Sequence, residues 1–587
     1  MNIKNKIDVL SNSIKVKSYV KSLIITLSII IFLIGTFFIP VSLPQEIGQN
    51  FKQLKMIDDG KILLAPTRSR NTYLLDNNGT VNHTWPSEYK PGLAAYWLGN
   101  GTILRTIQVG IMPVAGGAGG GVQKVELDGT ITWDFRYDTN KYLSHHDVKS
   151  LPNENILLIA WEEKTRTEVI VAGRNPNYVS SQGLMPDHII EVQPTGPTSG
   201  STVWEWHVWD HLIQDYDSSK ANYGVVENHP ELVDINYVTS TEQDWMHTNS
   251  IDYNQGLDQI LISVHNFGEV WVIDHSTTTE EAAGHTGGNS GKGGDLLYRW
   301  GNPAAYRRGT TSDRKLFSQH DASWIKPGYP GQENILIFNN GVNRPNIEYS
   351  SVDEIIPPVN IYGEYYLSPN SSYGPINQTW TYIANPPSSF FASHLSGAQR
   401  LANGNTLICN GETGEIFEVN PNGAIVWQYN TKVEVFKVVY LYPEELGPSI
   451  PDLECTGSLS WNKIKPGATA NGSFQVQNIG DLNSSLNWTI NVSSIIWGKW
   501  LFSPESGKNL TPSDGQVTVH VSVVAPNEKN SKFEGYIIVE NQDDPSDFDL
   551  IPVYLKTPVN INIIQLKFYQ FMYKIKDFFS EKIHYKI

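Results

Sequence analysis

Four histidines head similar stretches of the chain. They are "HHDVKSLPNENILLIAWE" from His145, "HTNSIDYNQGLDQILISVHNFGEVWVID" from His247, "HDASWIKPGYPGQENILIFNNG" from His320 and "HLSGAQRLANGNTLICNGETGEIFEVNPNGAIVWQY" from His394. Aligned on their turn residues, His146, His247 and His320 take one equivalent position. His394 falls two residues earlier, which on a strand keeps the same face. An imidazole is neutral and nucleophilic near pH 7, because its reference pKa is about 6.5. Several converging imidazoles can attack an electrophile, hold an oxyanion or ligate a metal. Arg344, in "IFNNGVNRP", adds a permanently charged planar fork suited to a multi-oxygen anion. A second histidine of the His247 stretch, His265, is read as supporting or structural.

These residues are far apart in sequence, so a repeat must bring them together. Each unit reads as a polar start, a short strand, a Gly/Asn/Pro turn and an apolar strand, and several close with a "VxxDGxxxWxF" type hairpin. Five units begin near Gly92, His146, His247, His320 and His394. A sixth can be assembled from both ends, "KILLAPTRSRNTYLLDNNGTVNHTW" after Lys61 with "VFKVVYLYP" near Val435. Four-strand units at such a period predict a β-propeller, here of six blades over residues 50–447. Its first strands would line a central channel. Closure by both ends would leave no exposed edge.

The rest of the chain sets limits. With 17 Trp, 28 Tyr and 48 Gly and no long Ala/Leu/Glu/Lys run, the fold class expected is all-β. A formal charge of −17 argues against a nucleic-acid partner. Two cysteines, Cys409 and Cys455, build neither a disulfide scaffold nor a cysteine zinc site. Residues 452–557 alternate in short strands like an immunoglobulin-like β-sandwich. Residues 559–587 predict an amphipathic C-terminal helix with Phe568, Phe571 and Ile575 on one face, suited to a membrane surface or a neighbouring domain.

Residues 23–43 are apolar, uncharged and about 20 residues long, and they follow a basic segment at 1–22. They predict a single transmembrane helix with everything beyond it outside the cell membrane. The Asn-x-Ser/Thr triplets at Asn78, Asn82, Asn377, Asn471, Asn487 and Asn491 fit a glycoprotein surface. Two glycine-rich stretches, "AGGAGGGVQK" at 115–124 and "GHTGGNSGKGG" at 284–294, miss the register of nucleotide-binding loops and read as flexible connections.

Over roughly residues 50 to 445 the chain resembles the bacterial and archaeal arylsulfate sulfotransferases, through "DWMHTNSIDY", "FSQHDASW", "NNGVNRP" and the long stretch from Ala392 to Tyr429. The resemblance implies a six-bladed propeller that moves a sulfuryl group from an aryl sulfate to a phenol through a sulfohistidine, with no cofactor. It further implies His394 as nucleophile, with His247, His320 and Arg344 holding the sulfuryl oxygens and assisting proton transfer. His146 and His265 have no counterpart in that set and are read as substrate-binding or supporting residues. Two other readings stay open: a metal-dependent propeller hydrolase or lyase, and a non-catalytic surface propeller that binds.

Overall fold

The structure, a computed structural model, describes residues 60–109, 116–446, 450–480, 484–558 and 563–583. The fold is all-β and propeller-like. Six four-stranded antiparallel sheets follow one another in the chain, and one of them joins its two ends: Val435–Leu441 pairs with Lys61–Pro66, which continues to Thr72–Asp76 and Val81–Trp85.

The six inner strands are Pro91–Gly99, Tyr142–Ser150, Thr248–Asn254, His320–Trp324, Gly397–Arg400 and Val435–Leu441. Each touches the next, and the last touches the first, so they form a closed ring. The second strand of each sheet is buried on both faces, as in Ile156–Glu162 and Gln259–Val264, because neighbouring sheets cover them.

The outermost strands carry a device repeated six times. Trp85, Trp133, Trp206, Trp300, Trp380 and Trp427 each lie on the fourth strand of a sheet. Each donates its indole N–H to a backbone carbonyl of the following sheet or its connection, at Glu126, Ser199, Gly294, Pro375, Pro421 and Asn77 in turn. The last of these bonds returns to the first sheet and completes the circle. Several of these tryptophans belong to the hairpin signature read from the sequence. An indole buries on the order of 200 Å² and satisfies its one donor in the same contact.

Residues 453–556 form two further sheets, Leu453–Thr456 with Thr469–Asn478, Val517–Val524 and Lys499–Ser503, and a five-stranded partner that includes Lys532–Asn541 and Phe548–Lys556. Alternate residues, among them Phe474, Val476, Val519, Val521, Ile537, Val539 and Ile551, are buried in a common core. Cys409 is buried in the propeller-like region, Cys455 lies on Leu453–Thr456, and both are free thiols.

The C-terminal helix spans Ile563–Ile583, and Leu566, Phe568, Tyr569, Phe571, Met572 and Tyr573 on it are exposed. The expected basic segment at 1–22 and membrane span at 23–43 lie outside the described residues. Among the described residues no helix is long and apolar enough to cross a membrane, and this corrects the expectation of a single-pass chain at the cell membrane. The readings that hung on it, an extracytoplasmic and glycosylated surface, lose their support with it.

Candidate active site

The inner strands do not stay regular where the histidines sit. His146, His247 and Asp321 adopt left-handed backbone, with φ of 53°, 53° and 50°. Each of their strand pairs shifts register at that place, between Ser144 and Val148, Thr248 and Ser250, and His320 and Ser323. Such a bulge turns a side chain away from the direction that simple alternation gives it. Non-glycine residues held in this region cost of order 1–3 kcal/mol each and cluster at functional sites.

His146, His247 and His320, with His265 of the turn His265–Phe267, form a chain of imidazoles. Ring centroids are 4.6 Å apart for His146 and His247, 5.0 Å for His247 and His265, and 5.5 Å for His265 and His320. Each ring has its Nδ1 occupied. His320 Nδ1 donates to Asn340 Oδ1 at 2.8 Å, and the Asn340 amide is oriented by donating to the carbonyls of Ala392 and Leu395. His265 Nδ1 donates to Asn266 Oδ1 at 2.8 Å, and the Asn266 amide donates in turn to the carbonyls of Asp244 and Trp245.

His247 Nδ1 bonds to Asp244 Oδ2, while Trp161 Nε1 donates to Asp244 Oδ1 at 3.0 Å. His146 Nδ1 meets His145 Nδ1 at 2.8 Å. His145 Nε2 lies 3.3 Å from Asp187 Oδ1, an ion-pair contact that is not an aligned hydrogen bond, and this carboxylate favours the His145 proton on Nε2. His145 Nδ1 is therefore the acceptor and His146 Nδ1 the donor. In none of the four rings does Nε2 make a hydrogen bond among the described residues.

The electrostatics divide the set. Burial drives His146 and His320 well below the ordinary imidazole range, helped by neighbouring imidazoles, and brings His265 to about 4. Burial also depresses His247, but the Asp244 carboxylate beside it outweighs that and raises its pKa. His247 thus holds its proton to higher pH than the three rings around it.

The remaining predicted residues are placed differently. His394 precedes the strand Gly397–Arg400 in a turn where Leu395 and Ser396 have φ of 54° and 82°, so the two-residue period does not extend to it. Its side chain is 48% exposed, 2.8 Å from Ser393 Oγ, 3.7 Å from Glu412 and 4.0 Å from Glu434. Among the described residues no ring contact joins it to the other four. The link is Asn340, which holds His320 and the carbonyls of Ala392 and Leu395 on either side of His394. Arg344 Nη2 donates to Ser351 Oγ at 2.6 Å, its guanidinium lies 4.4 Å from the Tyr349 ring, and its buried Nε has no acceptor among the described residues.

Two features were not read from the sequence as part of the site. Gly116 and Gly117, in the supposedly flexible "AGGAGGGVQK", lie against the imidazoles. Gly117 accepts the His146 backbone N–H at 2.8 Å, has φ of 72°, and a Cβ there would fall 2.0 Å from His146 Cε1. Only glycine allows that approach.

Behind the histidines, Lys437 Nζ bonds to Asp147 at 2.9 Å and Asp321 at 2.8 Å, and Tyr96 O–H donates to Asp147 at 2.7 Å. Burial would strip the Lys437 proton, but the two carboxylates hold its pKa well above the usual value. This cluster ties four inner strands across the channel. Beyond it, residues of the inner strands, including Trp97, Asp252, Trp324 and Gln399, line a pocket of about 480 Å³. The available signals were a lone lysine in the apolar "VFKVVYLYP" and the Asp three residues before His247.

Comparison with known proteins follows this geometry. A family model described as Arylsulfotransferase (ASST) matches residues 45–442. No curated protein matches the chain. Among solved structures, a protein of unknown function from Bacteroides caccae is similar at 12% identity and a TM-score of 0.37, covering 65% of this chain and 99% of that one. Virginiamycin B lyase from Staphylococcus aureus is similar at 10% identity and a TM-score of 0.32, covering 64% and 83%. A PapD-like domain of human CEP192 matches 20% of this chain and 94% of its own at 15% identity and a TM-score of 0.16. At these scores the structural likenesses carry no argument about this chain.

Proposed function

The chain belongs to the arylsulfotransferase family, and from that premise we propose that it moves a sulfuryl group from an aryl sulfate to a phenolic acceptor in two displacements through a sulfohistidine. The observation that carries the reading is the chain of imidazoles, each with Nδ1 engaged, one with its pKa raised and three with theirs lowered, inside a family whose substrates are aryl sulfates. The domains are read as a six-bladed propeller at 50–447 and an immunoglobulin-like sandwich at 452–557.

His394 is the nucleophile in this reading. It is half exposed, so a bulky aryl sulfate can reach it, and its loop is tied to His320 through Asn340. In the first displacement a ring nitrogen of His394 bonds to sulfur as the S–O bond to the aryl group breaks. His247, its pKa raised by Asp244, gives the departing phenolate its proton in this reading. Phenol has a pKa of about 10, so such help is worth roughly 10²–10⁴-fold. In the second displacement the acceptor oxygen bonds to sulfur, the N–S bond breaks, and His247 takes the acceptor's proton.

In this reading Arg344 and the Nε2 of His320 hold the sulfuryl oxygens, with His146 and His265 supporting His247. The alternative in which the channel histidines ligate a metal has less support. Among the described residues the one trio of His, Cys, Asp or Glu whose ligand atoms all lie within 4.8 Å is elsewhere.

The test is to expose purified chain to a radiolabelled aryl sulfate without acceptor and then add phenol. Label on His394, discharged to the phenol, is the expected result. Equal labelling and turnover in His394→Ala would reject the assignment.

A further inference from the structure

We propose that His211, His285 and Asp295 form a binding site for a divalent transition metal, zinc by ligand type, that clasps the third sheet to the fourth. The three ligand atoms lie within 4.8 Å of one another. His211 follows the last strand of the third sheet, Ser199–His207, and Asp295 precedes the last strand of the fourth, Tyr298–Trp300. His285 stands in the glycine-rich "GHTGGNSGKGG".

The argument rests on the geometry of the three ligand atoms and on what holds His211 from behind. His211 Nε2 lies 2.8 Å from the Ala282 carbonyl, which only accepts, so Nε2 carries the proton. In the neutral ring this leaves the Nδ1 lone pair facing Asp295 Oδ1 at 2.8 Å, a place that a proton fills in the empty site and a metal ion would take over. His285 Nδ1 reaches the same carboxylate oxygen at 2.8 Å, which converts a pair into a three-ligand point. A ligating histidine whose other nitrogen donates to a backbone carbonyl is the usual outer arrangement of metal sites.

The surroundings are built around this point. Trp206 stacks on the buried His211 ring at 5.7 Å, nearly parallel, and donates its indole N–H to Gly294 O. A Cβ on Gly294 would fall 1.9 Å from the Ala282 oxygen and 2.6 Å from His211 Nε2, so the contact that sets the tautomer requires glycine. Tetrahedral zinc with bonds near 2.0–2.1 Å sets its ligands about 3.3 Å apart, so the trio must open by about 0.5 Å. His285, 60% exposed on its loop, can supply that movement and leaves a side open for water as fourth ligand. Two imidazoles, one carboxylate and a water suit zinc better than calcium or magnesium.

Chelator-stripped full-length chain titrated with zinc alone should bind one equivalent at micromolar or tighter affinity. Binding should fall at least tenfold in His285→Ala and Asp295→Asn and persist in His320→Ala. Zinc should also slow tryptic cleavage at the exposed Lys292 in the wild type but not in His285→Ala. Absence of zinc binding, unchanged binding in both ligand variants, or its loss in His320→Ala would each overturn the proposal.

Discussion

The rim and the channel of the same sheets obey opposite rules. On the outermost strands six tryptophans repeat one contact with little variation, each indole satisfied by the next sheet. On the innermost strands no two sheets carry the same set: one holds His145 and His146, one is preceded by His247, one begins with His320, and Val435–Leu441 carries a lysine. The rim is regular because packing has one good answer. The channel is irregular because chemistry needs unlike groups at one place, held there by bulges.

Substitutions can separate the two. The largest effect is expected for His394→Ala, a loss of transfer on the order of 10⁴-fold or more, as when a nucleophile is removed, with the melting temperature little changed. A parallel loss of folding would place His394 with the rim residues. Trp85→Ala should do the reverse. Trp85 is fully buried and bonded to Glu126 O, so its loss should destabilise by about 3–5 kcal/mol in denaturant unfolding while turnover per folded molecule stays near wild type.

Next comes His320→Ala, with a loss of roughly 10²–10³-fold if it holds a sulfuryl oxygen. Steady-state kinetics would show it in kcat as well as kcat/KM.

Asp244→Asn sharpens the comparison through pH. With Asp244 in place His247 has a raised pKa, so its charge and the stability it contributes are complete below the unfolded value near 6.5 and vanish as pH rises through the folded value. The variant should move the basic limb of the rate profile to lower pH. The depressed histidines act at the other end. Below about pH 6.5 the unfolded chain takes up protons that His146, His265 and His320 refuse, so stability should fall with acidification, the His265 share ending near pH 4. The smallest effect belongs to Trp85→Phe, about 1 kcal/mol from the lost indole bond.

Much of the frame could be read from spacing. The sheet made from Lys61–Pro66 and Val435–Leu441 was expected from apolar runs at the two ends, and the hairpin signature placed rim tryptophans. The site was legible only in part. His247 and His320 each contact His265, while among the described residues His394 does not join their ring contacts, since left-handed residues at Leu395 and Ser396 break the alternation that the alignment assumed. Asp244, Asn340 and Lys437 escaped notice because each is an ordinary polar residue until its partners, 3 to 290 positions away, are in view. "AGGAGGGVQK" and "GHTGGNSGKGG" read as loose connections because a glycine's reason is the atom it lets approach.

The sequence by itself determined the all-β class, the repeating sheets and the supply of histidines, because periodic apolar residues and turn signals act locally. Only the tertiary structure decided which nitrogen each imidazole presents, which ring holds its proton more firmly, and that His211, His285 and Asp295 meet. Tautomer and charge depend on partners within hydrogen-bond reach and on burial, and neither exists until the ring of sheets has closed.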